Sequence, residues 1–91
     1  FGHIGDNHLH LNLLPEDGAQ FAQAREYCTK LVHRALALGG TVSGEHGIGK
    51  LKKMYLAKMA GEETIQQFRA LKAHLDPKCV LGRGVMFDAE L

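Results

Sequence analysis

His8-Leu9-His10-Leu11-Asn12-Leu13 alternates polar and apolar residues, and a period of two over six residues predicts a half-buried β-strand. The stretch before it, Phe1-Gly2-His3-Ile4, reads as more of the same element. Between them Gly5-Asp6-Asn7 is turn or bulge chemistry. A strand here makes the chain α+β, because the rest of it reads as helix.

Downstream, Phe21, Ala24, Cys28, Leu31, Val32 and Ala35 recur at helical spacing within residues 17–38. Asp17 is a candidate N-cap and Gly39-Gly40 a stop. Thr41-Val42-Ser43 suits a short strand, followed by a glycine-rich loop from Gly44 to Gly49. A second helix is expected from Lys50 to Ala60, with Leu51, Met54, Tyr55 and Met59 along one side, broken by Gly61. A third is expected from Glu62 to His74, with Ile65, Phe68, Leu71 and Leu75 on one face. Asp76-Pro77 ends it, since the residue before proline is pushed out of the α region. The tail, Leu81-Gly82-Arg83-Gly84-Val85-Met86-Phe87-Asp88, reads as flexible or extended.

The 91 residues suffice for one small domain. A net charge of +1 gives no basic footprint for nucleic acid, and there is no apolar run of transmembrane length. The chain opens at Phe1 as if inside an element, so a fragment of a longer protein is expected. Cys28 and Cys79 are neither a disulfide framework nor a CxxC pair. They read as two inert thiols packed like small hydrophobes in a reducing compartment.

Four of the six histidines fall in two short segments, Gly2 to Asn12 and Ser43 to Lys50. Imidazole is the commonest metal ligand and a carboxylate a frequent partner, so the first segment's histidines with Glu45 fit a catalytic divalent-metal site. Spacing alone leaves the histidine pair undecided. Residues two apart share a strand face, which pairs His8 with His10. A one-residue bulge at Gly5-Asp6-Asn7 would instead bring His3 and His10 together. His33 and His74 lie in helical patterns and read as ordinary helix residues. Gly44 to Lys50 also fits the start of a phosphate-binding loop, but Leu51 stands where the magnesium-holding Ser or Thr belongs and Glu45 would repel phosphate.

Gly2-His3-Ile4-Gly5-Asp6 through His10-Leu11-Asn12, then Ser43-Gly44-Glu45-His46-Gly47-Ile48-Gly49, then Leu75-Asp76-Pro77, resemble the C-terminal domain of FAD-linked oxidases. That family includes D-lactate dehydrogenase, D-2-hydroxyglutarate dehydrogenase and the glycolate oxidase D subunit. The resemblance implies an α+β fold: a small antiparallel sheet packed with about three helices, part of a larger ferredoxin-like substrate (cap) domain. Residues 1–91 would be the C-terminal fragment, without the flavin-binding domain and inactive alone.

The resemblance assigns roles by position. His3, His10 and Glu45 match the metal ligands, His46 the general base, and Asn12 a polar residue facing the substrate. The chain departs from the family pattern at Asn7-His8, where many members have Gly-Asn, so His8 stays open as an extra ligand. It departs again at Gly82-Arg83-Gly84-Val85, where many have Asn-Pro-Gly-Lys.

The implied activity is oxidation of a D-2-hydroxy acid, of D-lactate or glycolate type, to a 2-oxo acid. The implied cofactors are FAD, held mainly by the missing domain, and a divalent metal, zinc or manganese. The implied partners are the N-terminal flavin domain of the same protein, the hydroxy acid and an electron acceptor of unspecified kind. An isolated fragment could also self-associate through surfaces that normally meet the rest of the enzyme. The implied location is cytoplasmic, or peripheral at the inner membrane. The alternatives are a non-redox metal-binding module and an oligomerisation module, since fold alone does not settle function.

Overall fold

The computed structural model describes residues 1–88; residues 89–91, the end of the chain, lie outside the described residues. The chain forms two compact units, Phe1–Gly39 and Gly40–Leu91.

In the first unit β1 (Gly2–His3) pairs antiparallel with β2 (His8–Leu9), in the register Gly2 opposite Leu9 and His3 opposite His8. A 3-10 turn over Ile4–Asp6 joins them, and Asn7 closes it in the left-handed region at φ 55°. The Asn7 N–H donates to the Ile4 carbonyl at 3.0 Å. Asparagine adopts that conformation more readily than most side chains. Gly5-Asp6-Asn7 is therefore a hairpin reversal and not a bulge in one continuous strand. The expected strand over residues 8–13 is only two residues long, because the pairing stops at Leu9.

Helix α1 (Gly18–Ala37) starts as expected: the Asp17 carboxylate accepts from the Gln20 N–H at 2.8 Å. The Gln20 side-chain oxygen accepts from the Glu16 N–H at 2.9 Å, so two donors at the helix start are satisfied together. Ala24, Val32 and Ala35 of the apolar stripe are half-buried, but Phe21, Cys28 and Leu31 are exposed. The unit offers only a hairpin of two-residue strands besides the helix, too little to cover a 20-residue stripe. Of the two thiols expected to be packed, only Cys79 is buried.

In the second unit α2 (Lys53–Ala60) packs against α3 (Glu62–Leu75). Gly61 is the whole connection, at φ 83° and ψ 154°, a conformation open to glycine and strained for other residues. The core centres on Leu56 and Ile65, only 4% and 3% exposed. Burial of each contributes roughly 2 kcal/mol.

Helix α2 begins three residues later than expected, after a turn through residues 49–51, because Lys52 has no acceptor with which to cap an earlier start. Its buried residue is Leu56, while Leu51 and Met54 are exposed. The inward face of α3 likewise runs through Ile65, Phe68, Arg69 and Lys72, leaving Leu71 and Leu75 exposed. Thr41-Val42-Ser43 is not a strand; among the described residues the one sheet is β1 with β2. The tail is neither extended nor loose: the Val85 N–H donates to the Gly82 carbonyl at 3.1 Å in a turn. Among the described residues no helix is long and apolar enough to cross a membrane.

Candidate functional site

The first unit gathers three imidazoles on its hairpin. Cross-strand pairing sets His3 opposite His8, with ring centroids 5.5 Å apart. His10, two residues on, has its ring 4.7 Å from that of His8. Phe1 stacks on His10 at 4.8 Å with the planes 10° apart. His3 is exposed, and His8 and His10 are half-buried. Gly2 makes this closeness possible. At φ 141°, a Cβ there would lie 2.4 Å from the His8 carbonyl oxygen and 3.2 Å from Cδ2 of His10. Asn12 lies exposed in the irregular segment after β2.

In the second unit Glu45 and His46 sit in the glycine-rich loop, with Glu45 Oε1 3.5 Å from His46 Nε2. The loop is tied on itself, because Ser43 Oγ donates to the Gly47 carbonyl at 2.9 Å. Its far end is tied to the tail, because the Met86 N–H donates to the Gly49 carbonyl at 2.7 Å. The residue types are those of a metal and proton-transfer site: imidazoles as neutral donors, a carboxylate as an anionic one, and an imidazole that can take a proton. His33 and His74 lie exposed on α1 and α3, as their helical spacing suggested.

Sequence reasoning missed the role of Asp76, which it treated only as a helix end. The buried Asp76 carboxylate accepts from Lys72 Nζ, from the Val80 N–H at 3.1 Å and from the Leu81 N–H at 2.9 Å. The hydrogen bond from Lys72, then those from the Leu81 and Val80 amides, hold its pKa down at about 2. The signal was the four-residue spacing of Lys72 and Asp76, which puts the two on one helix face.

Comparison with known proteins gives a family match over residues 1–86, to the C-terminal domain of FAD linked oxidases. The chain is 44% identical to D-2-hydroxyglutarate dehydrogenase of Xanthomonas citri pv. viticola, over 97% of this chain and 20% of that protein. It is 36% identical to the glycolate oxidase subunit GlcD of Bacillus subtilis, over 96% of this chain and 19% of that protein. It is 35% identical to a probable mitochondrial D-lactate dehydrogenase of Danio rerio, over 96% of this chain and 18% of that protein. The chain thus spans about a fifth of the length of these relatives. No solved structure gives a significant match.

Proposed function

The chain belongs to the family of C-terminal domains of FAD-linked oxidases, and on that premise we propose that it is the metal- and substrate-binding part of a flavin-dependent dehydrogenase that oxidises a D-2-hydroxy acid to a 2-oxo acid. One observation carries the reading: the family match runs over residues 1–86 and takes in both histidine-bearing segments. The names of the three relatives point to substrates that share a 2-hydroxy acid unit. The flavin would be held mainly by an N-terminal domain of the same protein.

In this proposal His3, His10 and Glu45 hold a divalent cation, zinc or manganese. Two neutral imidazoles and one carboxylate suit either ion and leave positions for substrate. The hairpin favours the imidazole part of the set, since its short register crowds their rings together. When bound, the cation supplies Lewis-acid polarisation of the substrate hydroxyl, and the flavin supplies the hydride acceptor. The Asn12 amide orients the substrate by hydrogen bonding. The His46 imidazole takes the hydroxyl proton as the α-hydrogen departs with its electron pair, leaving the carbonyl of the 2-oxo acid. Glycines flanking Glu45 and His46 let the backbone come close to substrate.

The test is Glu45→Gln in the intact enzyme, with metal analysis and turnover of a panel of D-2-hydroxy acids. The amide is a poor ligand for either ion, so metal content and most activity should be lost. Unchanged metal content removes Glu45 from the ligand set.

A further inference from the structure

The tail of the second unit is anchored at both ends and touches the Glu45–His46 loop between them. At its start it hangs from Asp76, through the Val80 and Leu81 amides and through Lys72 Nζ, which also donates to the Leu81 carbonyl at 2.6 Å. Arg83 Nε donates to the Cys79 carbonyl at 2.6 Å, tightening the same turn. At its far end Lys53 Nζ bonds the Asp88 carboxylate at 2.7 Å, and Arg69 Nε donates to the Asp88 carbonyl at 3.1 Å. The Phe87 ring lies 6.2 Å from that of Phe68 on α3. Between these anchors the Met86 N–H grips the Gly49 carbonyl at 2.7 Å. Gly49 ends the loop that Ser43 closes around Glu45 and His46.

Asp76 is poorly placed if its task is only to end a helix. It caps the C-terminus of α3, where the helix dipole disfavours a negative charge. The cation of Lys72 and two backbone N–H groups offset that cost. A carboxylate can accept from all three donors, because both oxygens are acceptors. The isosteric amide of asparagine has one acceptor oxygen, and its NH2 group would face another donor.

We infer that Asp76 is a positioning residue for the Glu45–His46 loop, acting through the strap of residues 79–88 that it anchors. The role rests on Glu45 and His46 carrying the chemistry proposed above. The depressed pKa of Asp76 agrees with it, since the anchor stays charged at any pH at which the enzyme would work. The strap reduces the number of conformations open to the loop, and it does so without touching the reacting groups.

The test uses the intact flavoenzyme and reads the loop directly. Amide hydrogen exchange over residues 44–50 is compared in wild type, Asp76→Asn, Lys72→Met, Lys72→Arg and Lys53→Gln. Lys53→Gln frees the exposed end of the strap, so it remains informative if Asp76→Asn proves poorly folded. Exchange in the loop should rise in Asp76→Asn, Lys72→Met and Lys53→Gln, and stay near wild type in Lys72→Arg, while the interiors of α2 and α3 stay protected. In Asp76→Asn kcat should fall by a factor on the order of 10–100, the scale of a misplaced catalytic group, with KM little changed. Faster exchange at residues 79–81 with an unchanged loop overturns the inference, since Asp76 then anchors the tail alone. Glu45→Gln and His46→Asn are the controls. If they leave turnover intact, the proposed chemistry fails, while the loop exchange still judges the strap.

Discussion

Ser43 Oγ donates a 2.9 Å hydrogen bond to the carbonyl of Gly47, closing a ring of backbone around Glu45 and His46. Ser43→Ala removes the donor and leaves the carbonyl to find water. The expected cost is about 0.5–1.5 kcal/mol in unfolding free energy, read from urea denaturation. In the intact protein the metal should also bind more weakly. Wild-type stability and metal affinity in Ser43→Ala would mean that the bond does not hold the loop.

Asp76 predicts a pH dependence with a definite sign. Its folded-state pKa is about 2 against an ordinary value of 3.8. The folded protein therefore binds the proton less readily than the unfolded chain does. The resulting stabilisation is fully present above 3.8 and is lost as pH falls through 3.8 toward 2. Unfolding midpoints of wild type and Asp76→Asn, taken from pH 6 down to 2, should converge at the acid end. A gap that stays constant over that range would show that the charge of Asp76 is not what stabilises the turn.

Asp17→Ala should destabilise by about 1 kcal/mol, because the Gln20 N–H loses its acceptor at the start of α1. Asp17→Ser should recover most of the loss, since serine caps as well as aspartate. Thermal unfolding of the three proteins side by side checks the order.

Gly2→Ala brings a methyl group against the His8 carbonyl and forces an unfavourable φ. The expected cost is at least about 1 kcal/mol, and it falls on the hairpin. In the intact protein bound metal should drop with it. Normal metal content in a well-folded Gly2→Ala variant would show that the tight β1–β2 approach does not serve ligation.

His8→Ala addresses the residue whose ring neighbours both His3 and His10. With His3, His10 and Glu45 as the ligand set, metal analysis of the variant should still find one equivalent. Loss of the ion would make His8 a ligand as well.

Much of this chain is legible locally. Asp17 followed by a helical stripe places α1 to within a residue at each end. Gly61 and Asp76-Pro77 bound α3 in the same way. These signals work because a cap, a period or a breaker acts over about one helical turn, which the sequence contains in full. The two histidine-bearing segments were also visible, as a density of imidazoles around glycines. The residue types by themselves therefore suggested metal and proton chemistry.

Pairings between distant residues were not legible, because nothing local distinguishes a bulge from a reversal, or one side of a short helix from another. Gly5-Asp6-Asn7 turns the chain back on itself, so His3 lies across from His8, whereas a count along one strand pairs His8 with His10. In α2 Leu56 is buried while Leu51 and Met54 are exposed, a choice made by where α3 lies. The clasp of Asp76 on Lys72, Val80 and Leu81 exists only once the tail has folded back beside α3. Composition and spacing determined which chemistry the chain can hold. The tertiary structure decided which groups meet, because hydrogen bonding and burial depend on distances that sequence separation does not fix.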